Sequence, residues 1–276
     1  MLTFEALAIG FFAVLGAAAP FTRASRAHRL RAVLRSAAVI VCVLVGLQTL
    51  APAVRVWLGH AYLMMGYWIP ALMVPTAARA FTARAGGPQG SAPQVSGGFE
   101  AWLAHIDNGW RLHSIAAPNW LLCVLEMSYL LAYPLVPAAF MFVWMHGRLA
   151  DTDRFWTAVL LSGFACYGTL PWLISRPPRV RLEDAAVKAR AARTGLRAAN
   201  AFVLARVSHG LNTFPSGHVA VAVAAALEVM AISPPAGLAT LVLAALIAAG
   251  AVAGRYHYAV DVAAGVVVGI AASSLV

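Results

Sequence analysis

The feature that most constrains this chain is a series of apolar segments separated by short polar connections. A helix needs about 20 mostly apolar residues to cross a bilayer. Only 11% of the residues are charged, against about 25% in soluble domains. We therefore predict an all-α, polytopic transmembrane helix bundle with seven or eight spans, eight being preferred. The candidate spans are residues 1–20, 36–54, 61–78, 120–145, 155–174, 218–232, 237–253 and 259–276.

The net charge of +10 comes almost entirely from arginine, since Lys188 is the only lysine. In a polytopic protein, basic clusters first indicate cytoplasmic loops. Basic and aromatic residues do not alternate as they would in a nucleic-acid-binding stripe, so we predict no nucleic-acid partner. The largest cluster lies in residues 175–206 and fits either a cytoplasmic loop with an interfacial helix or a funnel for phosphate groups. These two interpretations are compatible.

One change in composition divides the chain. Residues 83–98 are rich in glycine and proline, which is typical of a flexible linker. This linker follows an N-terminal group of transmembrane helices, residues 1–82. Residues 99–117 carry tryptophans among charged residues and predict an amphipathic helix at the membrane interface. Residues 118–276 then form a C-terminal helix bundle.

Two polar strings lie at the ends of apolar segments in that bundle: FPSGH at residues 214–218 and RYHYAVD at residues 255–261. The span 155–174 ends just before Arg176 and the next span begins at His218, so no crossing separates these two regions. Two spans then lie between His218 and Arg255, and they return the chain to the same face of the membrane. The sequence therefore predicts a shared site at that face.

The residue types in these strings suit attack on a phosphate ester. Such a reaction needs positive groups or N–H donors for the phosphoryl oxygens, a nucleophile, and an acid for the departing oxygen. His257 and Asp261 are four residues apart, so on a helix they share a face, and the carboxylate can orient the imidazole. Ser216 and Gly217 begin a span, where helix N–H groups favour an anion, and His218 follows directly.

Each of these residues also has a simpler interpretation. A histidine at a membrane boundary is commonly an interfacial polar residue, and boundary arginines are commonly topology signals. Ser216 is a good N-cap residue in its own right. Glu126 and Glu228 lie within predicted spans, where an ionisable group is a functional candidate. We leave both outside the catalytic set because a buried, hydrogen-bonded acid explains them equally well.

Three strings in order, SRPPR at 175–179, PSGH at 215–218 and RYHYAVD at 255–261, resemble the motifs K-x6-R-P, P-S-G-H and S-R-x5-H-x3-D. These are the motifs of the PAP2 (type 2 phosphatidic acid phosphatase) superfamily of membrane lipid phosphatases and phosphotransferases. The paired prolines and the HYxxD form resemble most closely its inositolphosphorylceramide-synthase-like bacterial branch. Two positions depart from the motifs, because Thr169 replaces the lysine of the first motif and Ala251 replaces the arginine of the third.

The resemblance implies that His257 is the nucleophile, with Asp261 as its partner and His218 as the acid for the leaving group. It also implies a reaction without a metal or other cofactor. Positive charge in place of the missing lysine and arginine is then expected from neighbouring residues. The expected phosphate-binding residues are Arg176, Arg179, Ser216, Gly217 and Arg255.

The function implied is that of an integral, multi-pass lipid phosphatase of the cell (inner) membrane, acting through a phosphohistidine. Its partners would be a membrane lipid phosphate or diphosphate and the bilayer itself. Two alternatives stay open: a head-group phosphotransferase on the same fold, and a non-catalytic lipid transporter or lipid-binding protein. The motifs do not distinguish hydrolase from transferase, but retention of both histidines and the aspartate disfavours a non-catalytic protein.

Overall fold

A computed structural model describes residues 1–75, 98–110, 118–180 and 195–276. Across these ranges the chain is all-helical, and its one β-bridge, between Ser175 and Asn212, is isolated. The all-α prediction is confirmed. The helices are α1 (Thr3–Ala18), α2 (Arg26–Thr49), α3 (Pro52–Arg55), α4 (Gly59–Leu72), α5 (Gly98–Trp110), α6 (Asn119–Leu130), α7 (Ala132–His146), α8 (Leu149–Tyr167), α9 (Gly195–Val207), α10 (Gly217–Ile232), α11 (Pro234–Ala253) and α12 (Ala259–Ser274). Short 3-10 turns occupy Ala19–Phe21, Val56–Leu58 and Pro178–Val180.

Among the described residues, three helical stretches are long and apolar enough to cross a membrane: Thr3–Phe21, Arg26–Thr49 and Pro234–Ala253. The pair α6 and α7 would be a fourth if it is one broken span, since the two helices meet at a 56° bend. Helices α10 and α12 are also apolar but shorter. The chain is thus a helical membrane protein, with three or four candidate spans in the part that the structure describes.

Several element boundaries differ from those predicted. Helix α2 begins at Arg26 rather than near residue 36, because the Ser25 hydroxyl accepts a hydrogen bond from the His28 amide and so caps the helix. The predicted span 120–145 is divided at Leu131 into α6 and α7. The segment 99–117, predicted as an interfacial helix, contains helix α5 (Gly98–Trp110), with residues 111–117 outside the described ranges, and its position at the membrane interface stays a prediction. The linker also lies outside them, except for Gly98, which starts α5.

The centre of the C-terminal bundle is α10, which packs against α8, α11 and α12. A Cβ atom on Gly269 of α12 would lie 2.6 Å from the Ala220 carbonyl oxygen, and one on Gly265 would lie 2.6 Å from that of Ser216. Two glycines, one turn apart, therefore let the helix backbones approach closely, as small residues do in membrane helix pairs. This packing fixes the start of α12 beside the start of α10.

The N-terminal helices pack on α8. Phe11 of α1 stacks on Phe164 with ring centroids 4.0 Å apart. At the other end of α1, the Asp153 carboxylate accepts hydrogen bonds from the amides of Thr3 and Phe4. Because Asp153 is near the start of α8 and Phe164 near its end, α1 runs parallel to α8.

Helix α4 also runs parallel to α8. A Cβ atom on Gly59 would lie 2.2 Å from the ring of Trp156, so the start of α4 is in close contact with the first half of α8. At the other end, Tyr67 and Tyr167 have ring centroids 5.3 Å apart. The end of α4, the arginine-rich start of α2 and the start of α10 therefore lie at the same end of the bundle.

Candidate active site

Two histidines and an aspartate meet where α10 and α12 begin. His218 is the second residue of α10, and His257 lies in the loop before α12, with ring centroids 5.9 Å apart. Nδ1 of His257 lies 3.5 Å from Oδ2 of Asp261, slightly longer than an ordinary N–H···O bond. Since Nδ1 faces the carboxylate, Nε2 is the nitrogen available to a substrate.

Asn212 connects the three motifs, although no sequence pattern distinguished it. Its Nδ2 donates to Oδ2 of Asp261 at 2.7 Å and to the Ser175 hydroxyl at 3.0 Å. Its backbone N–H donates to the Ser175 carbonyl at 2.9 Å. The Ser216 amide in turn donates to the Asp261 carbonyl at 3.0 Å. The three strings expected to share a site are therefore joined by hydrogen bonds.

Ser216 occupies the N-cap position of α10, but its hydroxyl makes no capping hydrogen bond. The hydroxyl oxygen is buried and has no hydrogen-bond partner within the described part of the chain. The neighbouring Gly217 amide donates to the Thr213 hydroxyl at 3.3 Å. A Cβ atom on Gly217 would lie 2.1 Å from the ring of Tyr167, so packing alone requires glycine at this position.

Two of the predicted phosphate-binding arginines are paired with acids of α5. Arg176 Nη2 lies 2.8 Å from Glu100, and Arg255 Nη1 lies 2.8 Å from Asp107. Glu100 and Asp107 are seven residues apart, two turns of one helix face, and both are buried. The hydrogen bonds that Arg176 donates to Glu100 raise the pKa of its guanidinium, which stays charged. These acids were not predicted as site residues, although their seven-residue spacing on an amphipathic helix was a usable signal.

Arg255 has a backbone conformation that is unusual for a residue other than glycine. Its φ of 59° lies in the left-handed region, where such a residue carries about 1–3 kcal/mol of strain. Its carbonyl accepts the Arg179 amide at 2.9 Å, and this bond fixes the first motif against the third. The surrounding contacts hold Arg255 in this conformation, which places its guanidinium against Asp107.

Arg179 differs from the other two arginines. Its guanidinium carbon lies 5.2 Å from the centre of the Tyr256 ring, within the range of a cation–π contact. Within the described ranges it has no carboxylate partner. Arg179 is therefore the one of the three whose positive charge is not offset by an acid of α5.

Aromatic rings surround His218. Tyr129 and Tyr133 lie with ring centroids 5.8 and 5.7 Å from it. Tyr129 stacks flat on Tyr256, 3.9 Å away. Burial and the nearby Glu126 carboxylate raise the pKa of Tyr256, so its hydroxyl stays protonated and donates to that carboxylate at 2.6 Å.

Glu126 and Glu228, the two glutamates of predicted spans, form ion pairs and hydrogen bonds that join helices. Glu126 also accepts from Arg197 at 2.9 Å and from Asn200 at 2.7 Å, which joins α6 to α9. Glu228 pairs with Arg154 at 2.9 Å and accepts from Ser273. It lies eleven residues along α10 from Gly217, roughly 16 Å from the site end.

The two departures from the family motifs have structural roles. The Thr169 hydroxyl donates to the Phe214 carbonyl at 2.6 Å and connects the end of α8 to the loop before Ser216. Ala251 is fully buried in α11, and its carbonyl accepts the amides of Tyr256 and His257. Neither position supplies a cation. Within the described ranges, no three histidine, cysteine or acidic side chains form a group suited to a metal ion.

Comparison with known proteins agrees with this arrangement. A family model described as the PAP2 superfamily matches residues 98–275. No curated protein and no solved structure matches the chain. The matched region covers more than half of the chain and contains helices α5 to α12 together with all three motifs. The chain therefore belongs to the PAP2 superfamily.

Proposed function

We propose that this protein is an integral membrane lipid phosphatase that forms a phosphohistidine on His257. Membership of the superfamily supports phosphatase or phosphotransferase activity. The observation that carries the proposal is the cluster of His218, His257 and Asp261 at one end of the bundle, with Asn212 holding the carboxylate.

In the first step, Nε2 of His257 attacks phosphorus while the bond from phosphorus to the ester oxygen breaks. The electron pair of that bond stays on the departing oxygen, which takes a proton from His218. Asp261 stabilises the imidazolium that develops on His257. In the second step, water gives a proton to His218 and its oxygen attacks the phosphohistidine, which releases inorganic phosphate and regenerates both histidines.

The phosphoryl oxygens would be bound by Arg179, by the start of α10 at Ser216 and Gly217, and by Arg176 and Arg255. The α5 acids hold Arg176 and Arg255 in fixed orientations. Each guanidinium has five N–H donors, so the donors that are not bonded to the acid can bind phosphoryl oxygens. Arg179 supplies positive charge that no described carboxylate offsets. The buried Ser216 hydroxyl adds one more hydrogen-bond donor beside the start of α10.

We further propose that seven or eight helices cross the cell (inner) membrane. Helices α4, α8, α10 and α12 would then also be spans and would complete the bundle. The substrate would be a lipid phosphate or diphosphate in the bilayer, and the reaction would need neither a metal nor another cofactor.

The direct test is phosphate release by the purified protein from lipid phosphates, with and without an alcohol acceptor and with and without EDTA. We expect inorganic phosphate to appear in every case, and a histidine-bound phosphate to be trapped after acid-free quenching. The variant His257→Ala should neither release phosphate nor form a histidine-bound phosphate. His146 is an exposed histidine at the opposite end of the bundle, so His146→Ala should still do both.

Two results would change the proposal. Transfer of the phosphorylated group to the alcohol without release of phosphate would identify a phosphotransferase. Full activity in a folded His257→Ala protein would exclude His257 as the nucleophile.

A further inference from the structure

A cavity of about 350 Å³ lies beside His218, at the lower end of the roughly 300–1,000 Å³ usual for ligand sites. Its walls come from the N-terminal helix α4 and from α7, α8, α9 and α10. Of the twelve described residues that line the cavity, helix α4 provides five, and α4 lies outside the region matched by the family. This wall is thus a feature of this chain rather than of the matched domain. The lining residues of α4 are His60, Leu63, Met64, Tyr67 and Trp68.

The position of the cavity relative to the two histidines is informative. It is lined by His218 and not by His257. In a phosphoryl transfer the attacking and departing atoms lie roughly in line on opposite sides of phosphorus. With His257 as nucleophile, the departing oxygen is on the His218 side. Whatever is esterified to that oxygen therefore continues into the cavity.

The lining determines what that group can be. It consists mainly of aliphatic side chains and aromatic rings. The polar atoms of two rings are already used, because the Tyr67 hydroxyl donates to Ser208 at 3.1 Å and Trp68 Nε1 donates to the Val207 carbonyl at 3.1 Å. Apart from His218, the other polar groups of the lining, on His60, Tyr133 and Tyr167, belong to three different helices. A glycerol backbone or a sugar brings several adjacent polar groups, and any of them left unpaired in this lining is costly. A hydrocarbon chain needs none.

The shape agrees with a chain rather than a compact group. Along α4 the lining runs from His60 to Trp68, eight residues or roughly 12 Å. Trp68 is at the site end of the helix, where its side chain is partly exposed. The cavity therefore extends from the catalytic end toward the middle of the bundle, along the direction that a lipid tail takes in a bilayer.

We infer that this cavity binds the hydrocarbon of the leaving group, so that the preferred substrate is a monophosphate esterified directly to a long aliphatic or isoprenoid alcohol. This inference rests on the proposed function, since it uses His257 as nucleophile and His218 as acid. If the cavity binds this hydrocarbon, α4 is a determinant of substrate choice. Phosphatidic acid, which has ester groups close to its phosphate, is then a poor substrate.

The test compares farnesyl phosphate, phosphatidic acid and the tail-free phenyl phosphate in one detergent. The wild-type kcat/KM should be about tenfold or more higher for farnesyl phosphate than for phosphatidic acid. Two variants fill the cavity from opposite walls: Met64→Trp on α4 and Val136→Trp on α7. Each should lower the ratio of kcat/KM for farnesyl phosphate to that for phenyl phosphate by about tenfold. Ala61→Trp, on the exposed side of α4, is the matched control and should not change the ratio.

A second measurement does not depend on catalysis. Farnesol, the product alcohol, should raise the Tm of the wild type and of Ala61→Trp by binding the folded protein. It should raise the Tm of Met64→Trp and Val136→Trp less. If no substrate is hydrolysed but this pattern of Tm values appears, the cavity assignment stands and the proposed function fails.

Other outcomes overturn the inference itself. Equal effects of farnesol on all four proteins would show that the chain does not bind in this cavity. The same conclusion follows if the filled variants keep the wild-type ratio, or if phosphatidic acid is the better substrate.

Discussion

At the scale of single residues, the Asp261 carboxylate is held by Asn212, whose side-chain amide donates to it at 2.7 Å and to the Ser175 hydroxyl at 3.0 Å. The pair His257 and Asp261 followed from a four-residue spacing, and His218 from its position beside Gly217. Asn212 was not predicted, because a lone polar residue in a loop carries no periodicity and its contacts with Ser175 and Asp261 arise only when the chain folds. The motifs therefore predict which side chains lie together, and only the tertiary structure shows which residues hold them in place.

The role of Asn212 can be tested by Asn212→Asp. The new side chain has the same shape but places a carboxylate where an amide now donates to Asp261 at 2.7 Å. We expect repulsion between the two acids to disorient His257 and to lower kcat by about 100-fold or more, with a smaller change in KM. Asn119→Asp, at the exposed start of α6, makes the same chemical change away from the site and should be nearly neutral. Wild-type kcat in Asn212→Asp would contradict the positioning role.

Arg176 provides a second test at this scale. Its Nε and Nη2 atoms both contact Glu100, a fork that lysine cannot reproduce. Arg176→Lys should therefore lower kcat/KM by about tenfold or more and weaken inhibition by inorganic phosphate. Arg206→Lys, on the exposed surface of α9, is the control and should retain both values. Unchanged phosphate inhibition in Arg176→Lys would show that Arg176 only anchors α5.

At the scale of elements, hydropathy predicted where helices occur better than where they end or bend. The division of residues 120–145 at Leu131 has a sequence signal that hydropathy does not register, since Pro134 lies in the first turn of α7, where proline is tolerated, directly after the break. The acids of α5 show the same limit. Their spacing indicates a polar helix face, but its contact with Arg176 and Arg255 depends on where the helix docks.

The contact between α10 and α12 gives a prediction for stability. Gly269→Ala would place a Cβ atom 2.6 Å from the Ala220 carbonyl oxygen, so the helices must separate. Overpacking of this kind costs about 1–3 kcal/mol, and we expect a lower Tm together with reduced activity, because α12 carries Asp261. Gly10→Ala on α1, where no atom lies within 4 Å of the added Cβ, should be neutral or slightly stabilising. Equal Tm values for the two variants would contradict this packing.

At the scale of the whole molecule, the parallel run of α1, α4 and α8 places the arginine-rich start of α2 at the same end as the active site. The span count predicts this shared face from the sequence alone. Short loops rich in arginine favour the cytoplasm. This rule and the contacts of α1 with Asp153 and Phe164 together predict that the site opens to the cytoplasm.

Cysteine labelling in intact cells tests this orientation. In a background with alanine at Cys42, Cys123 and Cys166, single cysteines are introduced by Ser25→Cys at the site end and by Arg148→Cys at the opposite end, both exposed. A membrane-impermeant reagent should label the Arg148→Cys protein in intact cells, and should reach the Ser25→Cys protein only after the membrane is permeabilised. The reverse pattern would place the site on the outer face, where the arginines at the start of α2 would oppose the positive-inside rule. Labelling of both in intact cells would mean that the two ends of the bundle do not lie on opposite sides of the membrane.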